Sequence, residues 1–215
     1  LGNTWSVRTT ALGEPVERFY EFDLQYVLDN DLKKLPFKES PCSSQDHYTI
    51  VTISAPTKNS PTNKSLDKIK TELASIYRQS LRANEMDLYV AGEPLSFEEY
   101  PILEAPFARN PKGDIVRWKK EIDFKFGKYR AQGFIAILRE INNTQNGLVL
   151  LRRGRVIVGA ETDGRYFPKS LFGTQGNFRF KRLFGELELE GFEVSFNKND
   201  IQDKENLEAL MEALK

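Results

Sequence analysis

The residue whose position most clearly suggests chemistry is Lys198, in the run Phe196-Asn197-Lys198-Asn199-Asp200. This lysine directly precedes a predicted helix, and a cation beside the positive end of a helix dipole is unfavourable unless an anion lies between them. The position therefore favours binding of a phosphate group. Asp200 and Asp203, at the start of the same helix, could instead neutralise Lys198 and cap the helix without any ligand. The spacing alone leaves both interpretations open.

A second candidate site is the basic sequence Arg152-Arg153-Gly154-Arg155. It lies at the predicted tip of a hairpin formed by residues 148–151 and 155–158. The three arginines Arg152, Arg153 and Arg155 could bind nucleic-acid phosphates or an acidic partner. Arginines in a turn are also typical of a solvated hairpin end, so the sequence leaves this choice open as well.

Other familiar catalytic and metal sites have little support in the sequence. His47 is the single histidine and Cys42 the single cysteine, which argues against a histidine-built metal site, a Ser-His-Asp triad and an internal disulfide. The run Gly173-Thr174-Gln175-Gly176 lacks the Lys-Ser/Thr sequel of a P-loop and the third glycine of a dinucleotide-binding turn. We therefore expect a plain loop there, and we expect no metal ligands.

The composition is that of an ordinary globular protein with one or two domains. The 215 residues include 31 Lys and Arg, 31 Asp and Glu, and 40% hydrophobic residues. A net charge of zero provides no overall attraction to nucleic acid or membranes, and no stretch approaches the roughly 18 apolar residues of a membrane span. With its single cysteine, the chain is expected to be cytoplasmic. Its first residue is Leu1, and we expect a longer parent polypeptide.

The hydrophobic periodicity predicts mostly strands with two clear helices. The strands are predicted at residues 7–10, 18–28, 47–53, 87–91, 121–126, 133–138, 148–151, 155–158 and 186–190. One helix is predicted at residues 66–81. A second is predicted at the C-terminal end of the chain, with Asp200 and Asp203 at its start and a buried stripe of Leu207, Leu210, Met211 and Leu214. Proline and glycine breaks after residue 91 indicate the main domain boundary. This pattern is that of an α+β protein.

The order of five segments resembles one family. The segments are HYTIV at 47–51, LASIYRQSL at 73–81, MDLYVAGEPL at 86–95, GLVLLRRGRVI at 147–157 and FNKNDI at 196–201. The first three are similar to the end of the ATP-binding domain in the GHKL group, which includes gyrase B, MutL, histidine kinases and the large heat-shock chaperone. The last two are similar to the transducer domain of the MORC-like branch. The resemblance runs over nearly the whole chain.

The resemblance implies a two-part ATPase. Residues 1–95 would be the C-terminal remainder of an ATP-binding domain with its connecting helix. Residues 96–215 would be a transducer, a ribosomal-protein-like α+β domain of mixed or antiparallel sheet with helices on one face. Lys198 matches the lysine that contacts the γ-phosphate of ATP, with Asn197 beside it. The resemblance also implies ATP and Mg²⁺ as cofactors of the full-length protein, which would form a homodimer when ATP binds, in DNA processing, repair or defence.

Several family motifs have no counterpart in this chain. The catalytic glutamate, the magnesium-binding asparagine, the Asp-x-Gly-x-Gly adenine site and the glycine-rich lid are expected before Leu1, and Phe196 stands where the family has histidine. The 215 residues alone are therefore expected not to hydrolyse ATP. The alternative function is a non-catalytic α+β interaction module that binds an acidic partner through its basic segments, residues 152–155 and 179–182.

Overall fold

The structure is a computed structural model that describes residues 2–30, 34, 36–161, 164–195 and 200–215. Its contacts divide the chain into two compact units, Leu1–Leu66 and Asp67–Lys215, which we call the N-terminal unit and the C-terminal unit. The boundary between residues 95 and 96, inferred from the proline and glycine breaks and the family resemblance, stays a prediction.

The N-terminal unit is built on a four-stranded antiparallel sheet. Its strands are β1 (Gly2–Thr10), β2 (Val16–Asp23), β3 (Phe37–Pro41) and β4 (Tyr48–Pro56), in the order β3-β2-β1-β4. A short helix, α1 (Leu24–Asp29), follows β2. The prediction of one strand over residues 18–28 is wrong beyond Asp23, because the Asp23 carboxylate accepts a hydrogen bond from the Tyr26 backbone N–H at 3.0 Å and caps a helix there.

The predicted helix at residues 66–81 is confirmed, with an interruption. Helix α2 (Asn63–Ile76) begins in the N-terminal unit and ends in the C-terminal unit, and α3 (Arg78–Arg82) follows it after Tyr77. Four short strands come next and form two small antiparallel pairs. They are β5 (Tyr89–Val90), β6 (Glu93–Pro94), β7 (Glu104–Ala105) and β8 (Val116–Arg117).

A five-stranded mixed sheet forms the centre of the C-terminal unit. Its strands are β9 (Lys119–Phe126), β10 (Tyr129–Ile137), β11 (Gly147–Arg152), β12 (Arg155–Val158) and β13 (Leu183–Glu190). In the order β12-β11-β13-β10-β9, only β11 and β13 are parallel. The helices between β12 and β13 and at the end of the chain are α4 (Lys169–Phe172), α5 (Phe178–Arg182) and α6 (Lys204–Ala213). The predicted α+β class with mixed and antiparallel sheets is confirmed.

Both faces of this sheet are covered where β11 lies. Leu148 and Leu150 of β11 pack in the main hydrophobic core with residues of α4 and α6. Val149 and Leu151 point to the opposite face and form a second cluster, against which Ile76 at the end of α2 packs. β11 is apolar without interruption because it is an interior strand with apolar neighbours on both faces.

Candidate functional site

The two residues predicted to bind ATP, Asn197 and Lys198, lie outside the described residues. The residues on either side of them are described. The Ser195 backbone N–H donates to the Asp200 carbonyl oxygen at 2.9 Å, and Val194 and Ile201 form an antiparallel bridge. Ile201 is fully buried. The chain on both sides of this segment is therefore anchored to the core of the C-terminal unit.

Asp200 and Asp203, which follow the segment at residues 196–199, each have a polar partner among the described residues. The Asp203 carboxylate accepts hydrogen bonds from the Tyr129 hydroxyl at 2.9 Å and from the Asn206 amide at 2.6 Å. These bonds, first that from Asn206, lower the pKa of Asp203. Asp203 is the N-cap residue of α6, yet its side chain accepts no backbone N–H of the first turn, so the interpretation in which it caps this helix is wrong. Asp200 pairs with Lys204.

The predicted hairpin with a basic tip is confirmed. Strands β11 and β12 are joined by a two-residue turn, Arg153-Gly154, and the last strand pair is Arg152 opposite Arg155. Both turn residues have positive φ, +52° for Arg153 and +73° for Gly154, as in a type I′ hairpin turn. The Glu188 carboxylate accepts hydrogen bonds from both turn N–H groups, with the Gly154 nitrogen at 3.1 Å. The tip is therefore held to the neighbouring strand β13.

The three arginines of the hairpin line one pocket. Its volume is about 330 Å³, and among the described residues Ile157 and Val194 also line it. The Arg152 guanidinium donates to the Phe192 carbonyl oxygen at 2.6 Å. In the part of the chain that the structure describes, none of these three guanidinium groups forms an ion pair. The pocket is therefore strongly positive and has an apolar wall.

The structure also brings together a buried charge cluster that sequence reasoning missed. Glu186 of β13 forms ion pairs with Arg78 and Arg82 of α3, and the Arg78 nitrogen lies 3.4 Å from the carboxylate. The Arg78 side chain is fully buried, donates to the Ser75 carbonyl and hydroxyl oxygens, and lies over the Phe97 ring at 4.3 Å. Burial lowers the pKa of its guanidinium. We interpret the cluster as a structural link between α3 and the sheet.

Among the described residues, Cys42 and the loop at residues 173–176 have no catalytic partner beside them. The Cys42 thiol lies 3.3 Å from the Thr10 hydroxyl and 3.9 Å from the Glu14 carbonyl oxygen, and neither is a general base. The run from Gly173 to Gly176 joins α4 to α5. Among the described residues, no group of three or more His, Cys, Asp or Glu side chains could hold a metal ion. No helix in the described ranges has the length and apolar character needed to cross a membrane.

Comparisons with known proteins give a likeness in fold. No protein-family model and no curated protein matches the chain. The structure is similar to the 43K ATPase domain of Thermus thermophilus gyrase B in complex with an aminocoumarin, with a TM-score of 0.45 and 10% identity over 100% of this chain and 65% of that chain. It is also similar to the B subunit of DNA gyrase from Myxococcus xanthus, with a TM-score of 0.45 and 12% identity over 100% of this chain and 68% of that chain. The chain thus spans about two thirds of the length of these gyrase structures.

Proposed function

We propose that this chain is the transducer-containing part of a GHKL-type ATPase, and that Lys198 binds the γ-phosphate of ATP. The order of the five sequence segments supports the family, and the mixed sheet of the C-terminal unit is compatible with a transducer. Apart from this contact with Lys198, ATP and Mg²⁺ would bind to residues of the parent polypeptide outside these 215. Binding of ATP would drive dimerisation, and its hydrolysis would reset the protein. The biological setting that we propose is DNA processing, repair or defence.

The observation that carries the proposal is the start of α6. Asp203 occupies the N-cap position, but its carboxylate accepts hydrogen bonds from Tyr129 and Asn206 and none from the backbone N–H groups of the first turn. A helix that starts in this way favours an anion near its N-terminus. Lys198 comes six positions before the first helical residue, Lys204. In this proposal the phosphate lies between the Lys198 ammonium group and the N-terminus of α6 and interacts favourably with both.

The test is the ATPase activity and the ATP-dependent dimerisation of the full-length polypeptide, measured for the wild type and for Lys198→Ala. We expect the substitution to lower kcat by about 100-fold or more, the usual cost of removing one preorganised group that stabilises transition-state charge. Lys112→Ala is the matched control, because Lys112 is exposed and its loss changes the net charge by the same amount. The control should retain the wild-type rate.

Two further measurements separate a role in catalysis from a role in folding. The thermal midpoint of the 215-residue chain should be the same for the wild type and for Lys198→Ala. Lys198→Arg, which retains the positive charge, should recover part of the ATPase activity. An unchanged rate in Lys198→Ala would contradict the proposal and favour the alternative function, a non-catalytic module that binds an acidic partner.

A further inference from the structure

We propose that the arginine pocket at the β11–β12 hairpin is a binding site for a phosphate monoester or a polyphosphate. Arg152, Arg153 and Arg155 would bind the phosphate oxygens, and Ile157 and Val194 would contact the less polar part of the ligand. The proposal uses only described residues. It does not depend on Lys198 or on ATP hydrolysis.

The first observation in support is the terminal strand pair of the hairpin. Arg152 and Arg155 are direct cross-strand partners, so their side chains leave the same face of the sheet. Like charges in this arrangement repel each other and destabilise a hairpin. An anion bound between two guanidinium groups would turn that repulsion into attraction. The pairing is therefore unfavourable without a ligand and favourable with one.

The second observation is the backbone conformation of Arg153. Its φ of +52° lies in the left-handed region, where a side chain with a Cβ is strained and where type I′ turns favour asparagine or glycine. Gly154 meets this preference at the second turn position and Arg153 does not. Arginine therefore occupies a position where asparagine would be less strained, and in this proposal the bound ligand offsets that strain.

The third observation is an unsatisfied donor on Arg155. Its Nε atom is shielded from solvent and has no hydrogen-bond acceptor among the described residues. A buried donor without an acceptor is costly, and most buried polar atoms have partners. The guanidinium lies 5.9 Å from the centre of the Tyr77 ring, a weak cation–π contact that leaves the Nε–H without an acceptor. Because Arg155 lines the pocket, a bound phosphate would lie beside its guanidinium and supply an acceptor after a change of the side-chain rotamer.

The turn is also rigid enough to present these side chains to a ligand. Glu188 accepts hydrogen bonds from the backbone N–H groups of Arg153 and Gly154, and it forms no ion pair with the arginines among the described residues. Arg152 is oriented by its hydrogen bond to the Phe192 carbonyl oxygen. Preorganised side chains lose less conformational entropy when a ligand binds.

The choice of phosphate follows from the type and number of the donors. Guanidinium groups present planar forks of N–H donors that bind phosphate oxygens in pairs. Three of them around one pocket exceed what a single carboxylate can satisfy. The volume of about 330 Å³ is larger than an isolated phosphate ion needs and is in the range of small-molecule pockets. The ligand class is therefore a phosphorylated small molecule or a polyphosphate.

The test is isothermal titration calorimetry of the 215-residue chain with sodium pyrophosphate at low ionic strength. We expect saturable binding that Arg152→Gln, Arg153→Asn and Arg155→Gln each weaken by about 10-fold or more, the value of one charged hydrogen bond. Arg109→Gln is the matched control, because Arg109 is exposed and remote in sequence from the pocket, and the charge change is the same. Its affinity for pyrophosphate should equal that of the wild type.

Arg153→Asn gives the sharpest result, because fold and binding should change in opposite directions. Asparagine tolerates the left-handed conformation, so the thermal midpoint should stay the same or rise while pyrophosphate binding falls. A lower thermal midpoint would identify Arg153 as a structural residue and overturn the proposal. So would the absence of pyrophosphate binding, or an equal loss of affinity in Arg109→Gln.

Two competing ligands test the chemical class. A poly-glutamate peptide that binds through the same arginines more tightly than pyrophosphate would overturn the assignment to phosphate in favour of an acidic protein partner. A single-stranded oligonucleotide that pyrophosphate cannot displace would overturn it in favour of a nucleic-acid surface. Displacement of the oligonucleotide by pyrophosphate would support a pocket that selects terminal phosphate groups.

Discussion

The two units of the chain stabilise their sheets in different ways. Among the described residues, every buried apolar side chain belongs to the C-terminal unit, and the buried side chains of the N-terminal unit are the polar Thr10 and Glu17. The N-terminal sheet exposes large apolar residues on β4, including Val51 with 56% of its surface accessible. Its stability must therefore come mainly from cross-strand pairs, whereas the C-terminal sheet is stabilised by apolar burial on both faces.

The two units also differ in how deeply their ion pairs are buried. In the N-terminal unit, the Glu17 carboxylate accepts hydrogen bonds from Arg8 at 2.8 Å and from Tyr48 at 2.5 Å, and the Arg8 side chain is half exposed. In the C-terminal unit, Glu186 faces the fully buried Arg78. When one partner of a solvent-accessible ion pair is removed, water solvates the remaining charge and little stability is lost. When the partner of a buried cation is removed, the uncompensated charge is strongly destabilising. Charge substitutions should therefore have larger effects in the C-terminal unit.

The chain contains a reporter for each unit. Its two tryptophans are Trp5 in β1 and Trp118 beside β9. Trp118→Phe leaves Trp5 as the fluorescence probe of the N-terminal unit, and Trp5→Phe leaves Trp118 as the probe of the C-terminal unit. Urea unfolding followed in these two backgrounds measures the stability of each unit separately.

The largest effect is expected for Glu186→Gln in the Trp5→Phe background. Removing this charge leaves Arg78 buried with no anionic partner, and we expect a loss of about 3 kcal/mol in the free energy of unfolding of the C-terminal unit. Glu190→Gln is the control, because Glu190 lies on the same strand and is exposed. It should change the free energy by less than about 0.5 kcal/mol. Equal effects of the two substitutions would show that Arg78 does not depend on Glu186.

An intermediate effect that depends on pH is expected for Glu17→Gln in the Trp118→Phe background. The hydrogen bond from Tyr48, and then that from Arg8, lower the pKa of Glu17 below its ordinary value of 4.5. A carboxylate with a lowered pKa contributes stability above pH 4.5, and this contribution is lost as the pH falls through the folded-state pKa. The N-terminal unit should therefore unfold at lower urea concentration as the pH drops below 4.5.

The variant should differ from the wild type in the shape of this pH profile. Glu17→Gln should lower the urea midpoint at neutral pH and flatten its fall in acid, because the group that titrates has been removed. Glu21→Gln, an exposed position on the same strand, should follow the wild-type profile. Parallel profiles for Glu17→Gln and the wild type would mean that other carboxylates determine the acid sensitivity of the unit.

The sequence predicts local features better than the contacts between distant elements. The hairpin at residues 148–158 is predicted correctly because two apolar, strand-forming segments flank a short turn that contains glycine. The alternation in β13 also predicts that Glu186 and Leu187 point to opposite faces of the sheet. It cannot show that α3, more than 100 residues earlier in the sequence, covers the face of Glu186. Helix α1 is missed because its start depends on the single Asp23 cap.

The candidate site was predictable to the same extent. The grouping of Arg152, Arg153 and Arg155 follows from their spacing around one turn. The pocket that they line also needs Val194, which the fold brings from a distant part of the sequence. The strained φ of Arg153 and the unsatisfied Nε of Arg155 arise from backbone geometry and burial, and neither leaves a sequence signal of its own.

The smallest expected effect is that of Val51→Thr, which tests whether the face of β4 is as open as the structure shows. Valine and threonine have nearly the same shape, so the substitution matters only where the new hydroxyl would be buried. At Val51 the free energy of unfolding of the N-terminal unit should change by less than about 0.5 kcal/mol. Val149→Thr, at a β11 position with 1% of its surface accessible, is the matched substitution and should cost about 1–3 kcal/mol in the C-terminal unit. A cost at Val51 close to that at Val149 would mean that this face of the N-terminal sheet is covered in solution. The two units would then differ in what covers their sheets, and both sheets would be stabilised by apolar burial.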